Sequence, residues 1–255
     1  LLKALGICAF IALFFSAYFH LLHHPVNPVT VMPLTPLDSW IGFVPAAMAT
    51  ITPLVYKQPQ FNPDTDMHPV ATVGISPLVV VTNANNGIAN LADLTKQAKA
   101  LAGKGNLAAP QMNSLPHLAI ELVNKRADMK LLTVPYPASP AAITAVIAGE
   151  AIVTADGVPG VLQHLKSGRL KALAVTSAQR VPGLDAPPVA DTLPGYDVVG
   201  WFQVFVPTGT PAAIADRIHA DVARISQQPD YVARLADLGI YPRPHTQADA
   251  REFFA

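Results

Sequence analysis

From Ile41 onward, short apolar runs rich in β-branched residues alternate with capped, amphipathic segments, and this alternation constrains the fold more than any other feature. Leu78–Thr82 reads LVVVT, a wholly apolar run of the kind found in a strand buried on both faces. Asn90 can cap a helix reaching Leu101, with Leu91, Leu94, Ala98 and Leu101 on one side. Asn106–Ala109 is a strand. Ser114 then caps a helix to Arg126 with Pro116 in its first turn. Leu131–Val134, Ala151–Thr154, Leu170–Thr176 and Val198–Val206 are further strands. Helices are expected at Ser139–Ala148, Pro159–Lys166, Thr210–Gln227 (buried stripe Ile214, Ile218, Val222, Ile225), Pro229–Leu238 and Thr246–Phe254. Such alternation implies βαβ units and an α/β fold with largely parallel sheets. In such sheets ligands sit at the carboxyl ends of strands, where helices begin.

Composition narrows the function classes. Charged residues are only 13% of the 255, about half the usual share, and Lys+Arg equals Asp+Glu at 17 each. A disordered chain is excluded, and no basic excess exists to neutralise nucleic-acid phosphates. The single cysteine, Cys8, leaves no internal disulfide and no Cys-rich zinc site. Between Lys3 and Lys57 the only formal charge is Asp38, and Ala4–Phe19 is an uncharged apolar run behind Lys3. That pattern reads as a secretory signal, with an uncleaved inner-membrane anchor over residues 4–22 as the alternative. His20, His23 and His24 lack a carboxylate or cysteine to complete a metal site and read as a polar collar. Residues 25–40 form a proline-rich connector, with one short strand around Val29–Met32.

No nucleophile elbow, P-loop, dinucleotide fingerprint or HExxH motif occurs. Ser114 and His117 could pair as nucleophile and base. Alternatively Ser114 is a helix cap, with His117 in the first turn reaching back to the loop. The loop Ala108–Ser114 joins a strand to a helix start, where unpaired N–H groups attract an anion. No Lys or Arg lies between Gly105 and Asn124, so an anion there would be held by the main chain and by Gln111, Met112, Asn113 and Ser114. Asp156-Gly157 follows the Ala151–Thr154 strand, where Asp156 can accept from a ligand hydroxyl, amine or water, or cap the next helix. Tyr136 and Trp201 are candidate pocket walls.

The chain also carries a family resemblance. It lies in Val134-Pro135-Tyr136, Ala148-Gly149-Glu150, Thr154-Ala155-Asp156-Gly157-Val158-Pro159, Gly168-Arg169-Leu170-Lys171-Ala172-Leu173-Ala174-Val175-Thr176-Ser177, Leu193-Pro194-Gly195-Tyr196, Trp201-Phe202 and Pro207-Thr208-Gly209-Thr210-Pro211. Residues 40–255 thereby resemble the substrate-binding proteins of tripartite tricarboxylate transporters, the Bug family. The resemblance implies a two-lobed periplasmic binding protein fold, type 2-like, with mixed sheets, a cleft between the lobes and hinge closure over a small organic carboxylate. It implies no catalysis and no cofactor. It also implies a monomer that hands its ligand to membrane transporter subunits. The organisation expected is a signal or anchor-like segment and connector over 1–34, a discontinuous first lobe over 35–82 plus 198–255, and a second lobe over 83–197. The family's usual opening strand–loop–helix is not visible in residues 1–40, so the first lobe is expected to be incomplete, and the alternative is a truncated or diverged family member that does not bind ligand. Crossings between lobes are expected near Val81–Asn83 and Tyr196–Trp201. The resemblance puts ligand contacts at Ala108–Ser114 just before His117-Leu118, at Asp156 and Gly157, and at a first-lobe loop Val44–Met48 that contains Ala46 and Ala47.

Overall fold

The computed structural model describes residues 42–50 and 62–243, with Thr246 and Ala250. The apolar run at 4–22, the histidine cluster, the Val29–Met32 strand and most of the Thr246–Phe254 helix lie outside the described residues. The elements in order are β1 (Gly42–Pro45), α1 (Ala46–Thr50), α2 (Pro63–Asp66), β2 (Met67–Asn83), α3 (Leu91–Ala100), β3 (Asn106–Pro110) and α4 (Leu115–Arg126). Then come β4 (Leu132–Tyr136), α5 (Ser139–Ala148), β5 (Thr154–Gly157), α6 (Val158–Lys166), β6 (Leu170–Val175), β7 (Val199–Pro207), α7 (Ala212–Ile225) and α8 (Pro229–Asp237).

The LVVVT run is only the end of β2, a strand of 17 residues. Pro69, Gly74 and Pro77 mask its length in the sequence. Pro69 and Gly74 fall at shifts of the β2–β7 register, and Pro77 is the last residue paired with β7, places where a missing N–H or side chain is tolerated. Up to Pro77, β2 runs antiparallel to β7, whose other edge pairs with β1. From Leu78 onward β2 lies antiparallel between β5 and β6. β3 and β4 pair in parallel, Asn106 opposite Leu132 and Pro110 opposite Tyr136. A parallel bridge, Leu107 to Val153, joins β3 to the chain entering β5, supported by Ala108 N–H to Val153 O at 3.0 Å and Thr154 Oγ1 to Ala108 O at 2.8 Å. The result is two sheets, β1-β7-β2 and β4-β3-β5-β2-β6, sharing one strand and forming two lobes.

The sheets are mixed, but less parallel than βαβ alternation implies. Only the β4-β3-β5 half runs parallel, because β2 arrives from the other sheet and opposes β5, β6 and β7. Alternation along β2 buries both faces of the larger sheet. Val80 joins Leu107, Leu94, Ile120 and Leu173 on one side; Val79 and Val81 join Ile143, Val146 and Val161 on the other. Each such side chain contributes on the order of 1.5–3 kcal/mol. The Ile214 stripe of α7 is a correction. Ala215 is buried against Val70 and Val206, and Ile218 and Val222 pack partly, while Ile214 is 51% exposed. One residue turns a helix by about 100°, so seating Ala215 on the sheet swings Ile214 away.

Gly74 shows how tightly the C-terminal segment lies on β2. Tyr241 and Ile75 exchange N–H···O bonds of 2.8 and 2.9 Å, and a Cβ on Gly74 would stand 2.7 Å from Tyr241 O. Gly74→Ala should therefore cost about 1–3 kcal/mol in urea unfolding, and a shift within error would show that this strap is not held against the strand.

Candidate functional site

β3, β4 and β5 run the same way, so their carboxyl ends and the starts of α4, α5 and α6 share one edge. The path from β3 into α4 is tight: Gln111 and Asn113 hold positive φ, +23° and +65°. Ser114 caps α4, its Oγ accepting from His117 N–H at 3.3 Å and donating to Pro110 O at 3.0 Å. His117 reaches back, Nδ1 accepting from Asn113 N–H at 3.0 Å. The two side chains therefore serve the backbone of the turn, and Ser114 Oγ is not activated by the imidazole. This geometry gives a hydrolase reading no support.

The same bonds limit what the loop can offer an anion. Gln111 N–H goes to Tyr136 O and Ser114 N–H to Gln111 O, both at 3.0 Å. With the Asn113 and His117 N–H groups also engaged, the main-chain donors of this loop left without an acceptor among the described residues are the N–H groups of Met112 and Leu115, and the exposed side-chain amides of Gln111 and Asn113 are free beside them. Neither α5 nor α6 has a side-chain cap, and Pro140 and Pro159 occupy their first turns.

Asp156 and Gly157 lie inside β5, not after it: the Ala151–Thr154 strand is displaced to Thr154–Gly157 because Ile152 and Val153 are still docking beside β3. Asp156 does not cap α6. Its Oδ1 accepts from Ser139 Oγ at 3.0 Å, which ties β5 to the start of α5. Burial pushes the Asp156 carboxyl above the ordinary aspartate value, opposed by hydrogen bonds from Gly157 N–H and Ser139. Gly160, in the first turn of α6, lies directly beneath the carboxylate, where a Cβ would collide with Oδ2. Tyr136, half-buried at the end of β4, faces Glu150; desolvation and that carboxylate raise its hydroxyl pKa. Ser139, Gly160 and the two unpaired N–H groups are the site features that sequence reasoning missed. The Ser-Pro and Pro-Gly dipeptides at two helix starts were the available signal for the first two.

The first-lobe candidates form a separate group. β1 runs straight into α1, so Val44–Met48 is not an open loop. Ala46 and Trp201, each 6% exposed, pack together with Val44, Ala49, Met67 and Phe205. Ala47 lies within α1. Among the described residues no group of three His, Cys, Asp or Glu could hold a metal ion. The ion pairs found there, Lys130–Asp128, Arg217–Asp221 and Arg224–Asp221, are all exposed and include none of the candidate residues.

The protonation of Asp156 has a measurable consequence. A carboxyl whose native pKa is raised binds protons more tightly folded than unfolded. Its stabilising contribution is present below the unfolded value and is lost as pH rises through the native one. Wild type should therefore lose stability relative to Asp156→Asn as pH climbs from the ordinary aspartate range through the raised value. Parallel stability curves for the two proteins would contradict the burial argument.

Two sheets sharing a long strand, with helix starts gathered at one strand edge, make a two-lobed α/β architecture. The tripartite tricarboxylate transporter family receptor (TctC) matches residues 27–255, and the chain belongs to that family. A UPF0065 protein of Bordetella bronchiseptica is 33% identical over 190 residues, 74% of this chain and 56% of that protein. Protein BugT of Bordetella pertussis is 32% identical over 192 residues, 74% of this chain and 59% of BugT. The chain thus spans little more than half the length of these relatives. Among solved structures, R. palustris Rpa4515 with adipate superposes with TM-score 0.71 at 25% identity, covering 87% of this chain and 75% of that one. The periplasmic binding protein BugD gives 0.65 at 26%, covering 83% and 73%.

Proposed function

We propose that this chain is an extracytoplasmic solute-binding protein that captures a small organic carboxylate for a tripartite tricarboxylate-type transporter. The observation that carries this reading is the shared edge of β3, β4 and β5: the unpaired Met112 and Leu115 N–H groups follow β3, the starts of α5 and α6 without side-chain caps follow β4 and β5, and Asp156 lies at the end of β5. Main-chain dipoles at such positions stabilise an anion without a basic side chain. Membership of a receptor family and likeness to a structure solved with adipate support the ligand class. The likeness to BugD supports a periplasmic location, and no helix among the described residues is long and apolar enough to cross a membrane.

Closure is a hinge motion of the two lobes. Its flexing points lie where strands change neighbours: at Pro77–Leu78 in β2, ahead of the Val81–Asn83 expected from sequence, and at Val198–Val199, where Val198 N–H still bonds Thr176 O at 2.9 Å while Val199 already pairs with Pro77. Calorimetric titration with di- and tricarboxylates, amino acids and aromatic acids tests the reading. At least one acid should give a saturable isotherm; flat traces throughout would contradict it.

A further inference from the structure

We infer that Asn86-Gly87, in the turn between β2 and α3, is a site of intrinsic chemical modification, where Asn86 cyclises onto the Gly87 nitrogen and becomes an aspartyl or isoaspartyl residue. It is the one Asn-Gly dipeptide in the sequence, and glycine has no Cβ to hinder attack at its nitrogen. The fold adds three features. Asn86 Oδ1 accepts from Ile88 N–H at 3.1 Å, which curls the side-chain amide over the Gly87 peptide and polarises its carbonyl. Asn86 Nδ2 donates to Thr82 Oγ1, so both ends of the amide are held in that posture. Gly87 is exposed, its N–H has no acceptor among the described residues, and at its φ of +76° the space where a Cβ would stand is open. Water and hydroxide therefore reach the nitrogen. The step needs no other reactant. Hydroxide takes the Gly87 amide proton, the nitrogen bonds to Asn86 Cγ, and the Cγ–Nδ2 bond breaks with release of ammonia, leaving a cyclic imide. Water then opens the imide at Cγ to give the aspartyl product, or at the main-chain carbonyl to give the isoaspartyl one.

Both products loosen the second lobe. Thr82 is fully buried, and its one hydroxyl proton goes to Ile152 O at 2.6 Å. An aspartyl carboxylate cannot donate to Thr82 Oγ1 as the amide does, so two acceptors are left facing each other. The isoaspartyl link lengthens the main chain by one methylene just ahead of Ile88 and Leu91, each 2% exposed in the core. The ligand edge is not involved. β2 opposes β5, with Val81 beside Thr154 and Leu78 beside Gly157, so the turn after Asn83 lies past the amino end of β5.

The test holds the purified protein at physiological temperature, at neutral and mildly alkaline pH, both native and in urea. Its peptides are then mapped by mass spectrometry, with isoaspartyl quantified by enzymatic methyl transfer. In the native protein, conversion at Asn86 should outpace that at Asn83, Asn85 and Asn113 by roughly tenfold or more, rise with hydroxide and favour isoaspartyl. Its rate should stay within about tenfold of the rate in urea, because the native turn already presents the amide to the nitrogen. Gly87→Ala should slow conversion roughly tenfold or more by crowding the attack. The converted fraction should melt about 2–4 °C below fresh protein, the loss of one hydrogen bond. Conversion of other asparagines first, conversion of Asn86 only in urea, an unchanged rate in Gly87→Ala, or a converted fraction that melts with fresh protein would each overturn the inference. The native-against-urea comparison on wild type decides the matter even if Gly87→Ala fails to fold.

Discussion

Gly160→Ala is expected to weaken ligand binding by roughly ten- to a hundredfold while leaving the fold intact. The Cβ would enter space held by Asp156 Oδ2, and the first turn of α6 cannot retreat because Val158 and Val161 anchor it in the core. The carboxylate must swing away, abandoning the hydrogen bond from Ser139 and its place at the strand edge. A hydrogen bond to a charged group contributes about 1.5–3 kcal/mol, which sets the size of the effect. Gly160 is exposed and alanine favours helix over glycine, which offsets part of the lost Ser139 bond, so thermal unfolding should fall modestly while the protein stays folded. Calorimetry alongside a melting curve separates the two outcomes; unchanged affinity would mean that the ligand does not depend on where Asp156 stands.

Phe205→Ala is expected to cost about 3–5 kcal/mol, a large share of the 5–15 kcal/mol that holds a typical domain together. Phe205 is fully buried on β7, paired with Gly42 on one side and Pro69 on the other. Its ring meets Trp201 at 6.4 Å between centroids. Removing it opens a cavity in the smaller sheet, which has few other large side chains to collapse inward. Urea unfolding measures this directly, and a loss under about 1 kcal/mol would show that the β1-β7-β2 core is not packed as described.

The second lobe was legible in the sequence because its signals are local. Asn90 and Ser114 cap where the side-chain types and spacing indicate, with Asn90 Oδ1 accepting from Asp93 N–H at 2.8 Å, and Gly149 ends α5 in the left-handed conformation. What the sequence hid depends on distant pairing. The full extent of β2 is interrupted by residues that break the strand pattern, and its direction is set by β7, far along the chain. The displacement of β5 follows from docking beside β3 and not from its own apolar run. At the site, the loop and Asp156 stood out by position. Which amides were already engaged depended on His117 Nδ1 and Tyr136 O, acceptors that only the folded chain brings into reach.

Backbone resonances followed during titration with the tightest acid found by calorimetry should show their largest saturating shifts at Met112 and Leu115, with smaller ones at Ser139 and Gly157. Shifts clustered away from the β3–β5 edge, with Met112 and Leu115 unmoved at saturation, would contradict an anion held by these main-chain donors.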